Sequence, residues 1–227
     1  MGPGNAKRME GTSELRWTEP NDATPFLPEQ RTLSSLREAA AGCRGCPLWR
    51  HATQTVFGDG LKRARLMFVG EMPGDQEDKQ GKPFVGPAGR ELDKALAVAG
   101  IDRSEVYITN VVKHFAFEER GKRRLHRTPK RFEVDACRPW LDSEIEIVRP
   151  EALVLLGATA GKALLGNNFK LRESRGRPLE SELAPLVSAT AHPSSILRQR
   201  DDASRHAERR AFTEDLERIA AAMNGGG

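Results

Sequence analysis

Three cysteines and a histidine in the sequence have the types and spacing of metal ligands. Cys43 and Cys46 form CRGC, a spacing that lets both thiolates reach one metal ion or cluster. A redox pair uses the same spacing, but it would lie between a strand and a helix, whereas this pair precedes the first predicted strand. Two thiolates rarely hold a metal alone, so Cys137 and His114 are the natural further ligands. Zinc and an iron-sulfur cluster both suit this set, and Cys137 alone would also suit a helix core.

The segment GKRRLHRTPKR, residues 121–131, carries six Lys or Arg residues around one histidine, His126. A charge run of this kind usually marks a solvated loop. Neighbouring cations disfavour a protonated imidazole, so we expect His126 to keep an unprotonated ring nitrogen near neutral pH, which can act as a nucleophile. The cations expected to contact phosphates are Lys122, Arg123, Arg124 and Arg127.

The elements that position these residues follow from the hydrophobic pattern. Short apolar runs predict buried parallel strands at residues 63–70, 106–112, 152–157 and 186–193. Apolar residues three and four positions apart predict helices at residues 88–101, 131–148, 159–166 and 205–223. This alternation predicts a three-layer α/β/α sandwich around a central, mainly parallel, four-stranded sheet.

Ligands of such open sheets bind beyond the carboxyl ends of the strands. The segments that follow the four predicted strands are GEMPGDQED, NVVKH, GATAGK and HPSSILR. We expect all four to converge on one edge of the sheet. The carboxylates of the first segment would also suit Mg²⁺, but the rest of the sequence shows no phosphoryl-transfer motif.

Length, charge and composition narrow the class of protein. No internal linker divides the 227 residues, so we expect a flexible lead-in over residues 1–30, one domain over 31–223 and a disordered tail over 224–227. Lys and Arg exceed Asp and Glu by 36 to 32, which suits a polyanionic partner. The sequence has neither a membrane-spanning run nor the apolar core of a signal peptide, and its odd cysteine count disfavours a disulfide framework. We expect a cytosolic monomer.

Two segments resemble the signature motifs of the uracil-DNA glycosylase superfamily, in its iron-sulfur branch. They are GEMPGDQEDKQGKPFVGPAGREL, residues 70–92, and HPSSIL, residues 192–197. Between them, KRRLH and the histidine at the third ligand position resemble the X-type members of that branch, in which a basic loop ends in histidine. Met72 departs from the X-type pattern, which often has glutamine there. The resemblance extends from about Cys43 to the final helix.

The resemblance implies a cofactor, a partner and a compartment. The cofactor would be a [4Fe-4S] cluster with a structural role, held by Cys43, Cys46, His114 and Cys137. The partner would be uracil-containing DNA, single-stranded by preference. The protein would act in the bacterial cytoplasm, in association with the nucleoid.

The resemblance also implies roles for individual residues. Phe84 would stack on the extruded base, Asn110 would pair with its edge, and His192 would donate to the departing uracil O2. Taken alone, Asn110 would suit a turn and Phe84 simple packing. The catalytic residues implied are His126, Glu71 and His192. Uracil would be held by Gly70, Asp75, Phe84, Asn110 and His192. DNA would be held by the four cations above with Ser194, Ser195 and Arg198.

X-type members form a covalent adduct with DNA, which implies that His126 attacks C1′ of the deoxyribose after uracil leaves. The resulting neutral N-glycosyl imidazole would hydrolyse very slowly, so the enzyme would act once. Two alternatives remain open at this point. One is a multiple-turnover hydrolytic uracil-DNA glycosylase of base excision repair, and the other is a non-catalytic, metal-stabilised DNA-binding domain.

Overall fold

A computed structural model describes residues 22–225 of the chain. Its strands are β1 Asp59–Gly60, β2 Leu66–Gly70, β3 Val106–Asn110, β4 Phe117–Arg120, β5 Arg123–His126, β6 Ala152–Leu156, β7 Pro178–Leu179 and β8 Leu186–Thr190. Its α-helices are α1 Leu33–Ala40, α2 Asp75–Gln80, α3 Pro87–Val98, α4 Arg131–Val148, α5 Ala158–Leu165, α6 Leu171–Ser174, α7 Ser194–Leu197 and α8 Asp202–Asn224. Short 3₁₀ helices span Thr24–Phe26, Pro47–Arg50 and Arg103–Glu105.

The predicted α/β sandwich with a mainly parallel central sheet is confirmed. The four predicted strands pair in parallel in the order β3-β2-β6-β8. The sheet has six strands rather than four, because β1 and β7 add antiparallel edges. Each of these edge strands is only two residues long, too short to produce a hydrophobic pattern.

Alternate residues of the central strands face opposite sides of the sheet, as strand geometry requires. In β2, Met67 and Val69 pack on one side with residues of α1, α4 and α5. Leu66 and Phe68 pack on the other side with residues of α3 and α8. Because both faces are covered, the strands are continuous apolar runs. No helix within the described part of the chain is both long and apolar enough to cross a bilayer.

The register of the sheet fixes which residues meet at its carboxyl edge. Gly70 at the end of β2 is the pairing partner of Asn110 at the end of β3. Gly157, which follows β6, has φ +95, and a Cβ built there would lie 3.1 Å from the Cβ of His192. Glycine is therefore required for the β6 turn to pass beside His192.

The basic segment is a β-hairpin and not the loop predicted from its charge. Strands β4 and β5 pair antiparallel, with Phe117 opposite His126 and Arg120 opposite Arg123. The turn contains Gly121 at φ +61, a conformation that a tight hairpin turn requires. Charged residues dominate both strands, so the sequence lacks the apolar alternation that usually predicts a hairpin.

The ends of the domain differ from the predicted boundaries. Residues 1–21 of the lead-in and Gly226 and Gly227 of the tail lie outside the described residues. Within the described part of the lead-in, Ala23 is fully buried and its N–H donates to Ala136 O at 2.8 Å. At the other end, helix α8 continues through Asn224.

A buried ion pair lies beneath the end of β3. The Lys113 Nζ is 2.5 Å from Glu144 Oε2, and the two side chains are 1% and 0% exposed. Lys113 also donates to Thr109 Oγ1 and to the backbone oxygen of Asn110. Glu144 accepts from the Tyr107 hydroxyl at 2.8 Å. Both charges are therefore bonded on several sides, as burial of an ion pair demands.

We expect Lys113→Ala to lower the free energy of unfolding by about 3–5 kcal/mol, because it leaves the Glu144 carboxylate buried without its cation. The measurement is denaturant unfolding monitored by circular dichroism. Lys170→Ala is the control, since its pair with Glu173 is 69% and 68% exposed and contributes at most about 1 kcal/mol. Equal losses in the two variants would contradict a stabilising role for the buried pair.

Candidate functional site

Four predicted site residues meet at the carboxyl edge of the sheet. A Cβ built on Gly70 would lie 2.7 Å from Phe84 Cζ and would also collide with Asn110 Oδ1. The Phe84 and His192 rings lie 5.8 Å apart, with a 36° angle between their planes. Gly70 therefore lets an aromatic ring and an amide approach the end of β2 closely. We refer to the group formed by Gly70, Phe84, Asn110 and His192 as the slot.

The Asn110 side chain presents an unused hydrogen-bond acceptor to this slot. Asn110 is 2% exposed, and its Oδ1 has no hydrogen-bond partner. Leaving a buried acceptor unpaired costs about 1–3 kcal/mol, which a ligand carrying a suitable N–H would recover.

Phe84 is held in a strained conformation by the loops around it. Its φ of +55 is uncommon for a residue with a side chain and costs about 1–3 kcal/mol. The Glu77 carboxylate accepts from the N–H of Gly74 at 3.1 Å and from the N–H of Gly86 at 2.7 Å. Glu77 thus joins the loop after β2 to the loop that carries Phe84.

The hydrogen bonds of His192 define its protonation. Its Nδ1 accepts from the Ser194 N–H at 3.2 Å and lies 2.8 Å from the Ser194 hydroxyl. That hydroxyl already accepts from Arg198 Nη1 at 2.7 Å, so its own proton is free to point at Nδ1. Burial is the main cause that lowers the His192 pKa to about 4, and the charges of Arg198 and His126 contribute to the same shift. His192 is therefore neutral near pH 7 with its proton on Nε2, as a hydrogen-bond donor.

Glu71 and His126 lie next to each other with a gap between them. Glu71 Oε1 is 3.9 Å from His126 Nε2, while Glu71 Oε2 accepts from the Thr159 hydroxyl at 2.6 Å. Oε1 is buried and has no hydrogen-bond partner. Thr159 thus orients the carboxylate so that its free oxygen is on the side of the imidazole.

The pKa of His126 is below its ordinary value, but the cause differs from the one expected. Partial burial is the main cause, and Arg198 adds to it, while Glu71 acts in the opposite direction. The hairpin arginines are not among the causes of this pKa shift, and Arg124 and Arg127 are paired with carboxylates. The ring remains about half exposed and can meet a large substrate.

Arg124, a predicted phosphate contact, instead anchors the hairpin to helix α2. Its guanidinium is bonded to Asp75 at 2.8 Å and to the fully buried Asp78 at 2.6 Å. It also lies 5.4 Å from the centre of the Phe115 ring and 5.0 Å from that of Phe117. Asp75, a predicted base contact, has its carboxylate bonded to Lys79 as well as Arg124, and both lower its pKa.

Four other predicted DNA contacts also bond within the protein. Arg127 forms a two-pronged bond with Glu133 at the start of α4, with distances of 2.7 and 2.9 Å. The Ser194 hydroxyl is bonded to Arg198, and the Ser195 hydroxyl donates to Glu208 at 3.1 Å. Of the four predicted hairpin cations, Lys122 and Arg123 remain exposed.

Met72 supports the base of the hairpin. It is 6% exposed, and its Sδ accepts from the Ala116 N–H at 3.4 Å. Ala116 O in turn accepts from the Arg127 N–H at 3.1 Å, directly after β5. The residue that departs from the X-type pattern therefore contacts the backbone beside the strand that carries His126.

The three cysteines are buried close to one another. Burial raises the Cys46 pKa to about 11, with Cys43 adding to the rise. Burial also raises the Cys137 pKa, and Cys46 and Cys43 contribute to that shift. Two sulfurs accept hydrogen bonds, Cys137 from the Lys113 N–H at 3.2 Å and Cys43 from Trp140 Nε1 at 3.3 Å. As the side chains stand, residues 22–225 contain no group of three or more His, Cys, Asp or Glu placed to hold a metal ion.

His114 has one ring nitrogen available as a ligand. The Thr55 hydroxyl donates its only proton to Ala40 O at 2.9 Å, so it must accept from His114 Nε2, also at 2.9 Å. Nδ1 therefore carries the lone pair. Burial lowers the His114 pKa to about 4, which keeps the ring neutral. A neutral imidazole and three thiols are the types of donor that suit iron or zinc.

The sequence prediction missed the residues that orient this site. Thr159 belongs to the segment after β6 that was expected at this edge, so its position was a usable signal. Glu77 and Asp78 follow β2 in the same way, but Asp78 bonds to Arg124, which is 46 positions away in the chain. Thr55 has no sequence signal, because its role depends on the fold bringing it to His114.

Comparisons with known proteins agree with this arrangement. The chain matches the family model described as the uracil DNA glycosylase superfamily over residues 57–217. A type-4 uracil-DNA glycosylase of Thermotoga maritima is 38% identical over 190 residues, which are 83% of this chain and 93% of that protein. Another, from Sulfurisphaera tokodaii, is 37% identical over 176 residues, covering 73% and 76% of the two chains. The span matched by the family model contains Gly70, Phe84, Asn110, His126 and His192.

We expect Arg124→Ala to loosen the hairpin without unfolding the domain, because it removes the cation that joins β5 to Asp75 and Asp78. Hydrogen exchange of peptides covering residues 117–126 should become faster by about tenfold or more, while exchange in the central strands stays unchanged. Arg123→Ala is the matched control, since Arg123 is exposed in the same strand. Equal protection of the hairpin in both variants would contradict the anchoring role.

Proposed function

The chain belongs to the uracil-DNA glycosylase superfamily, and we propose that it excises uracil from DNA and then bonds to the abasic sugar through His126. The observation that carries the proposal is the His126 imidazole 3.9 Å from the unpartnered Oε1 of Glu71, beside the slot at Gly70. The type-4 uracil-DNA glycosylase names of the relatives support base excision. The hairpin histidine supports the covalent step.

The slot suits uracil better than cytosine. Uracil carries an N–H at N3, which would donate to the unpaired Oδ1 of Asn110. Cytosine has a lone pair at N3 and would leave that acceptor buried and unpaired, a cost of about 1–3 kcal/mol. Phe84 would stack on the extruded ring, and any Cβ at Gly70 would push Phe84 and Asn110 out of their positions.

Excision separates charge, and two residues are proposed to stabilise the two products. As the bond between C1′ and N1 breaks, its electron pair leaves with uracil. The Nε2–H of neutral His192 would donate to uracil O2, where the negative charge develops. The Glu71 carboxylate, oriented by Thr159, would stabilise the positive charge on the sugar.

The covalent step forms a bond between His126 and C1′. The lone pair of the neutral ring attacks the sugar cation, and the ring becomes positively charged. The proton on the other ring nitrogen is then lost, with Glu71 as the proposed acceptor, which leaves a neutral N-glycosyl imidazole. A neutral imidazole is a poor leaving group, so the bond should persist.

The exposed cations and the exposed histidine favour a single-stranded partner. Lys122 and Arg123 are free to meet phosphates, and Arg198 lies near both His126 and His192. A single strand can present a base to the slot without the cost of unpairing it. We therefore propose uracil in single-stranded DNA as the preferred substrate, met by a monomer in the cytoplasm near the nucleoid.

We also propose that Cys43, Cys46, Cys137 and His114 hold a [4Fe-4S] cluster, through their sulfurs and Nδ1. In such a cluster each ligand binds a different iron, so the four groups surround it and need not converge on one ion. The bound cluster would tie the segment before β1 to the loop after β3 and to α4. Its contribution would be structural, and the excision chemistry would remain with the residues above.

A hydrolytic, multiple-turnover glycosylase is the second candidate, favoured by the type-4 name of the relatives. In that case water would attack C1′ and His126 would serve only to bind DNA. The two candidates share the base slot and differ in the fate of the sugar.

Incubation with a uracil-containing single strand, followed by a denaturing gel, distinguishes them. We expect wild-type protein to shift to a protein-DNA adduct, and His126→Ala to release uracil without any adduct because it lacks the nucleophile. His206→Ala, which removes an exposed histidine of α8, should form the adduct normally. Release of more than one uracil per protein molecule by the wild type, with no adduct, would favour hydrolysis.

Metal analysis tests the cluster separately from activity. We expect purified protein to be brown with about four iron and four sulfide ions per chain. His114→Ala should lose most of the iron, whereas His114→Cys should retain it because a thiolate replaces the imidazole. His51→Ala, an exposed histidine near Cys46, is the control and should keep full iron content. Zinc as the only bound metal would refute the cluster.

A further inference from the structure

Phe132 is an exposed aromatic side chain at the start of α4. It is 48% exposed and belongs to neither of the two hydrophobic cores. Among residues 22–225, the other exposed large hydrophobic side chains are aliphatic: Leu61, Val98, Leu125 and Leu197. Burial of an aromatic ring is favourable because it removes apolar surface from water. Binding of a partner over the Phe132 ring would therefore be favourable.

The structure fixes Phe132 close to the end of the hairpin. Arg127 directly follows His126 and is bonded to Glu133, the residue after Phe132. The Glu133 carboxylate also accepts from the Lys130 N–H at 2.7 Å, which holds the start of α4 against the segment leaving the hairpin. Phe132 therefore belongs to the first turn of a helix whose start is bonded to the segment that leaves the hairpin.

Positively charged residues lie close to Phe132 in the sequence. Lys130 and Arg131 precede Phe132, and the exposed Lys122 and Arg123 lie in the hairpin. Arg131 is bonded to Asp135, which leaves the lysines and Arg123 as the cations most available to a ligand. An exposed aromatic ring among cations is the combination that binds single-stranded nucleic acid, where the ring stacks on a base and the cations meet phosphates.

We propose that Phe132 is a stacking platform for an unpaired base that neighbours the extruded uracil. The inference rests on the proposed function for its location, because it assumes that DNA follows the site beside His126. A paired base inside a duplex is stacked on both faces by its neighbours, so neither face is available to the Phe132 ring. Phe132 thus favours single strands over duplexes, independently of the chemistry at the uracil slot.

The test measures binding of the full chain to DNA that lacks uracil, so it does not depend on excision. The probe is fluorescein-labelled oligothymidylate of about 12 nucleotides, followed by anisotropy, with a duplex of equal length as comparison. Phe132→Ala should weaken single-strand binding by about 5- to 100-fold and change duplex binding less than about twofold. Phe132→Trp should restore single-strand binding, because its ring also stacks.

Val98→Ala is the matched control, since Val98 is 68% exposed at the far end of α3. It should leave both affinities unchanged. The proposal is overturned if Phe132→Ala binds the single strand as tightly as the wild type, or if it loses single-strand and duplex binding equally. It is also overturned if sedimentation shows that the wild type is a dimer which Phe132→Ala converts to a monomer. If Phe132→Ala binds the single strand as tightly as the wild type and the adduct still forms, this inference fails while the proposed function holds. If Phe132→Ala loses single-strand binding but the wild type forms no adduct, the proposed function fails while this inference holds.

Discussion

The buried pair of Lys113 and Glu144 is the constraint on which the site depends. Two charges removed from water destabilise a fold unless each one is bonded on several sides. Here the Lys113 ammonium reaches the backbone oxygen of Asn110, while the Lys113 N–H donates to Cys137. Lys113 therefore connects the backbone of Asn110, whose side-chain amide belongs to the slot, to Cys137. Any shift of β3 along α4 would break the bonds of Lys113 to Glu144 and to Cys137 at once, so the pair determines a single arrangement.

The positive charges of the hairpin divide into an internal and an external group. Arg124 and Arg127 are bonded to carboxylates and are mostly buried, and they determine where the strand carrying His126 lies. Lys122 and Arg123 are exposed and bring net positive charge to the surface. The ion pairs that position His126 are therefore formed within the protein and do not depend on bound DNA. Such a preformed site loses less conformational entropy when the substrate binds.

The sequence predicted the sheet well, because buried parallel strands are continuous apolar runs and strand ends are where such folds bind ligands. It also placed Gly70, Asn110 and His192 at one edge, which the register confirms. It could not predict the hairpin or the roles of Asp75 and Arg124. Arg124 and Asp78 are 46 positions apart, and local patterns carry no information about such contacts. The early domain start at Ala23 was missed for the same reason, since its partner Ala136 is distant in the chain.

Helix α2 is only six residues long, yet both halves of the site are attached to it. Its Glu77 holds the loops around Phe84, and its Asp78 holds the hairpin through Arg124. In the proposed function, base recognition and sugar capture would therefore both depend on adjacent residues with the same type of side chain. A genetic screen that scores base recognition and sugar capture separately would find mutations of Glu77 affecting the first step and mutations of Asp78 affecting the second. Both residues are buried in this helix, away from any DNA contact.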